Sequence, residues 1–227
     1  MSSRARWVLL AVLLAVFATT VVVAGRDDEG PPPAGVERLG PEAGEPVRAY
    51  LRRASDSLPR PGAGPVWALI QLDGYLAPAA AAALVTTTQA QPVRLSRVVL
   101  RVPLPAVQTA LISRDLPGRR PAEELAAAVR SAAQDRARES AQAPPGSRPA
   151  SVAAAEAARL RAGCACVLAL LVRAEGDALR AVAGRPEIRA VHAAVPGTSP
   201  QGLAVSPLLP EQRDVVGPVS DDGPVPP

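Results

Sequence analysis

Apolar residues recur along this chain at two spacings, one near 3.6 and one of 2, and the points where the spacing changes divide it into elements. Val47, Tyr50, Leu51, Ala54 and Leu58 share one stripe and predict a short helix from Pro46 to Leu58, broken by Pro59 to Pro65. Val66 to Leu72, "VWALIQL", reads as a strand, Pro78 opens an Ala-rich helix to about Val85, and Arg97 to Val102 reads as a second strand. The same sequence of elements returns later. Cys164 to Val172 reads as a strand, Asp177 to Ala183 as a helix ended by Gly184 and Pro186, and Ile188 to Val191 as a strand. Between the two units, Pro121 to Ala143 and Pro149 to Ala162 predict two helices separated by "PPGSR".

Two β-α-β halves predict an α+β domain over residues 46–195, with a ferredoxin-like sheet of spatial order 4-1-3-2 and a helical hairpin inserted at about 120–162. The charge pattern agrees with that order, because edge strands carry charge to block unwanted pairing. The first strand is interrupted only by Gln71 and the third by nothing before Arg173, whereas the second carries Arg97 and Arg101 and the fourth carries Arg189 and His192.

Ahead of this domain the pattern is of another kind. Trp7 to Ala24 is an uncharged apolar run, long enough for a helix rising about 1.5 Å per residue to cross a hydrocarbon core of roughly 30 Å. It predicts one transmembrane helix over residues 7–25. Arg4 and Arg6 on one flank, against Asp27, Asp28 and Glu29 on the other, place residues 1–6 in the cytoplasm and the rest outside the cell membrane. The lipid bilayer is thus one expected partner. The alternative is a signal peptide cleaved near Val22-Val23-Ala24, leaving a secreted protein. Residues 26–45 are acidic and rich in Pro and Gly and read as a linker, and residues 196–227 read as a Pro-rich tail, largely disordered, of which Leu203 to Leu209 is the stretch able to pack.

Composition narrows the function classes. The chain has 227 residues, 48% of them hydrophobic, which suits one packed domain with tails. It contains no Lys and no Asn, so its basic residues are all Arg, as GC-rich coding favours. A net charge of +4 is spread among 21 acids, and aromatics make up only 2%, so a nucleic-acid partner is not expected.

Both cysteines, Cys164 and Cys166, lie in "RAGCACVLALLVR". In a strand they share a face with Cα atoms about 6.6–6.8 Å apart, the upper limit of disulfide reach, so a bridge between them needs a distorted backbone beside Gly163. Four states stay open: two buried thiols, a bridge within the chain, a bridge making a homodimer, and a thiol or metal site. A metal site has only Cys164, Cys166 and His192 as soft ligands, and none is expected.

Chemistry is otherwise thinly represented. No G-x-S-x-G, H-E-x-x-H, phosphate-binding or dinucleotide-binding loop occurs, so no catalytic residue and no cofactor is expected. His192, the single histidine, reads as a surface imidazole at the end of an edge strand. Asp73 after the first strand and Glu175 and Asp177 after the third offer paired acids at one end of the sheet, with Asp177 as a helix cap as the simpler role.

The order of an apolar anchor, a Pro-rich spacer, "VWALIQLDGYLAP", a helical middle, "RAGCACVLALLVRAEGDALRAVAGRPEIRAV" and "SPLLPEQ" resembles a group of uncharacterised single-pass membrane proteins of actinobacteria, over most of the chain. That likeness implies membrane anchoring and no particular activity. Separately, "VLALLVRAEGDALRAVAGRPEIRAV" is similar to the closing half of subtilisin-type propeptides, in which a strand, a short helix carrying Leu179 and Val182, then Pro186, Ile188 and Val191 complete a ferredoxin-like unit. The expectation is a non-enzymatic binding or regulatory module of the cell envelope with a protein partner there. A thiol or metal module and a protease-regulating module are the alternatives.

Overall fold

The computed structural model describes residues 36–86 and 92–226. The expected transmembrane helix at 7–25, the cytoplasmic residues 1–6 and the first part of the linker lie outside the described residues. Among the described residues, no helix is long and apolar enough to cross a membrane.

The elements in chain order are β1 (Glu37–Leu39), α1 (Val47–Asp56), β2 (Val66–Leu76), α2 (Pro78–Thr86), β3 (Arg94–Leu100), β4 (Ile112–Asp115), α3 (Pro121–Gln142), α4 (Arg148–Arg161), β5 (Val167–Ala174), α5 (Gly176–Ala183), β6 (Ile188–Ala193) and β7 (Leu203–Val205), with a 3-10 turn at Pro200–Gly202. The chain is a mixed α+β protein. Its main sheet has five strands in the order β4-β3-β5-β2-β6, antiparallel throughout. The four strands expected from the sequence stand in the order 4-1-3-2. Beyond the second lies β4, a strand the sequence reading left unassigned, which covers the expected edge at Arg97, while Arg101 lies just past the end of β3.

Local chemistry fixes the helix ends. Ser147 caps α4 by accepting the Ala150 N–H at 3.3 Å. Pro121 opens α3, and the Glu124 carboxylate turns back to accept the N–H groups of Gly118, Arg119 and Arg120 at 2.8–3.0 Å, which satisfies backbone donors at that end.

Alternation along the strands sends side chains to two faces. On one, Ile70, Leu72, Leu95, Val98, Leu100, Leu170 and Val172 pack under the helices against Leu125, Val129, Leu179 and Val182. The other face carries Leu69, Val99, Leu168 and Leu171, all buried. What covers it comes from the two segments expected as linker and tail. β1 and β7 pair in parallel as a two-stranded ribbon, and Leu39 and Leu203 press onto that second face. The chain then continues as a strap: Val47 N–H donates to Asp214 O, Val216 N–H to Glu45 O and Gly44 N–H to Val216 O. Residues 37–45 and 203–217 therefore belong to the domain, which corrects the expected boundaries at 46 and 195. Proline does not prevent this, because the strap satisfies its backbone through side chains such as Arg189, which donates to Leu209 O at 2.9 Å, and Arg148, which donates to Gly223 O at 3.0 Å. Gly40 makes the turn after β1 at φ 133°, and any Cβ there would fall on the Ser206 carbonyl.

Candidate functional site

The two cysteines sit before β5 and not within it. α4 ends at Arg161, Gly163 reverses the chain at φ 82°, and the Cys164 N–H still donates to Arg159 O at 3.2 Å. The first residue of β5 is Val167. Freed from strand geometry, the Cα atoms of Cys164 and Cys166 approach to 5.4 Å and the two sulfurs are bonded in a disulfide. The expected spacing of a regular strand does not apply here. Cys166 is buried and Cys164 half-buried against the helical face of the core.

Backbone bonds from Cys166 lead across the sheet. Its N–H donates to Leu76 O at 3.1 Å and its carbonyl accepts from Arg101 N–H at 2.9 Å, so the end of β2, the exit of β3 and the disulfide lie side by side. Arg101 is turned to the opposite face and is buried, at 2% exposure. Its guanidinium donates to the Tyr75 hydroxyl, to Glu211 Oε1 at 2.9 Å and to Val107 O at 3.5 Å. The Tyr75 hydroxyl in turn donates to the Glu211 carboxylate at 3.0 Å, and burial pushes its pKa up to about 12. A cavity of about 240 Å³ opens beside this triad, lined by Arg101, Pro103, Leu104, Val107, Glu211 and Val219. Its walls are largely apolar, apart from the Arg101–Glu211 pair and Ser220. Such a pocket suits binding, because it presents a fixed guanidinium against an apolar wall.

A second polar cluster lies under α1. Gln71, wholly buried in β2, donates to the Tyr50 hydroxyl and accepts from Leu208 N–H. His192 is 7% exposed, and its Nδ1 accepts the Gly40 N–H at 3.0 Å. The Tyr50 ring meets the imidazole edge-on at 5.7 Å, and the Arg53 guanidinium stands 5.1 Å over Tyr50 while pairing with Glu45 at 2.7 Å. The imidazole expected at the surface is a buried acceptor, because β1 and the strap cover its strand. Burial and the nearby Arg53 hold its pKa down to about 4. Every member of this cluster fastens a terminal segment to the sheet.

The paired acids do not meet. β2 and β5 run antiparallel with Val66 opposite Ala174, so Glu175 lies beside the start of β2 while Asp73 lies toward its other end. Asp73 sits within β2, near Arg213 at 3.3 Å, and Asp177 stands in the first turn of α5 paired with Arg180 at 2.7 Å, the cap position being Glu175. Among the described residues, no group of three or more His, Cys, Asp or Glu side chains is placed to hold a metal ion. The triad of Tyr75, Arg101 and Glu211 was missed in the sequence, where Arg101 read as edge protection and Glu211 as tail. The one signal for it was the phrase "SPLLPEQ", which combines apolar residues with an acid in a region otherwise read as disordered.

Comparison of the chain with family models, with curated proteins and with solved structures finds no match.

Proposed function

We infer that this protein is a membrane-anchored, extracytoplasmic module of the cell envelope that binds rather than catalyses, built on a ferredoxin-like sheet. The observation that carries the reading is the Cys164–Cys166 bridge, since disulfides persist in oxidising compartments and the N-terminal charge asymmetry directs the domain to such a compartment. The 4-1-3-2 strand order supports the ferredoxin-like name, and likeness to subtilisin propeptides enters only as a likeness of fold. Residues with chemical capacity have structural tasks: His192 holds Gly40, Gln71 holds Tyr50 and Leu208, and Arg101 holds Glu211. The binding surfaces proposed for an envelope partner are the cavity beside Arg101 and the short outer strand β4.

The test is topology in intact cells. A tag after residue 227 is accessible to added protease without lysis, and the chain stays in the membrane fraction after alkaline washing. Protection of the tag until lysis refutes the extracytoplasmic placement, and release by the wash refutes the anchor.

A further inference from the structure

One end of the main sheet carries a row of residues that the domain itself leaves unsatisfied. Trp67 stands opposite Arg173, and Arg173 stands opposite Arg94, so the three form one cross-strand row on β2, β5 and β3, on the face that the β1–β7 ribbon covers further along. Both arginines are exposed and Trp67 is half-buried. Like charges directly opposite each other repel, yet neither guanidinium has a partner among the described residues.

Neighbouring acids are engaged elsewhere. Asp115 pairs with Arg97, Asp177 with Arg180, and Glu37 accepts from Val195 N–H and Thr198 Oγ1. Arg94 and Arg173 on the row, against Glu175 two residues beyond Arg173, leave a net cation here.

The row also lies where the chain joins the domain. Val195, at 66% the most exposed large apolar side chain among the described residues, donates its N–H to Glu37, the first residue of β1, and the preceding Ala194 N–H donates to Trp67 O. Twelve residue steps separate residue 25, where the expected transmembrane segment ends, from Glu37 at the start of β1, a tether of about 40 Å at most.

We propose that the Arg94–Arg173–Trp67 row, with Val195 beside it, docks on the anionic headgroups of the membrane that carries the protein. Arginine forks match phosphate oxygens, tryptophan sits at the boundary between headgroups and acyl chains, and Val195 adds a small apolar contact. The proposal rests on the anchored reading above. It makes that end of the sheet lie against the bilayer.

The test uses the full chain carrying Trp7→Phe, which leaves Trp67 as the only tryptophan, in nanodiscs of zwitterionic or anionic lipids with brominated acyl chains. Trp67 emission is quenched in anionic discs, and the quenching fades as salt is raised. Arg94→Gln with Arg173→Gln shifts the docked-to-free ratio about thirtyfold, at roughly a factor of five per arginine near an anionic surface. Equal quenching in both lipids, or no response to the double substitution, overturns the proposal, whether the row is bare or held by an acidic protein. A companion chain with Trp67→Phe reports the anchor through Trp7. If Trp7 alone stays unquenched, the anchored reading fails, and the row is judged by salt-sensitive flotation of the full chain with preformed anionic vesicles.

Discussion

Protonating His192 should unfasten the N-terminal segment from the sheet. At neutral pH its Nδ1 accepts the Gly40 N–H, so Nε2 carries the proton, and the ring lies 7% exposed against Tyr50 with Arg53 close by. Charging the ring removes that acceptor, buries a cation and sets it near another, which is why its pKa falls from 6.5 to about 4, with Glu37 and Glu45 opposing the shift. A histidine depressed in the folded state contributes stability that is complete above its unfolded pKa and lost as pH falls toward the folded one. The loss therefore runs from about pH 6.5 down through about 4 and amounts to about 2 kcal/mol at pH 5 and about 3 kcal/mol at pH 4, relative to pH 7.5. Urea midpoints of the full chain in mild detergent, followed by circular dichroism between pH 7.5 and 4, give the wild-type curve. His192→Gln keeps a side-chain acceptor but does not titrate, so its curve should be flatter by that amount. Glu45, whose pKa is lowered despite partial desolvation, loses its Arg53 bond in acid in both proteins, and its coupling to His192 enters the difference between the two curves. Parallel curves for the two proteins would refute the reasoning.

Other consequences follow from the packing. Leu39→Ala, which empties a wholly buried position between ribbon and sheet, should cost about 2–5 kcal/mol and raise hydrogen exchange in 37–45 and 203–217 together, whereas exchange confined to 37–45 would show that the two segments are not coupled. Arg136→Met leaves the Glu156 carboxylate, wholly buried between α3 and the loop before β4, with only the Ala110 N–H; a cost of about 3–5 kcal/mol is expected, with partial recovery in Arg136→Met plus Glu156→Leu. Substituting both Cys164 and Cys166 by Ser closes no large loop and should cost no more than about 2 kcal/mol, leaving a folded domain by circular dichroism. Gly40→Ala should destabilise as strongly as Leu39→Ala, because its Cβ has no space against Ser206 and its φ is unfavourable.

Where periodicity was strong, sequence and structure agree. Val47, Tyr50 and Ala54 do face the core from α1, and the order of four strands expected from two β-α-β halves, with which the strand charges agreed, is the order found. β4 was not legible because "ISRD" has four residues and takes its place from pairing with β3, with Arg97 and Asp115 joined across the pair. The ribbon was hidden for a related reason. Glu37 to Leu39 and Leu203 to Val205 are three residues each, lie at opposite ends of the chain and sit among Pro and Gly, so only the tertiary contact defines them. The cysteines show how a boundary error propagates: three residues of strand too many turned an adjacent pair into one that a regular strand keeps apart. Arg101 and His192 were read by strand position alone, which cannot reveal that residues 203–217 return to cover them.

The central claim, an anchored chain whose cysteines are oxidised outside the cell, is tested most directly by the intact mass of the protein from native membranes, alkylated before any reduction. The account predicts a monomer retaining residues 1–24, lighter than the fully reduced chain by two hydrogens and carrying no alkyl group. A chain lacking its first residues, or one carrying two alkyl groups, would contradict it.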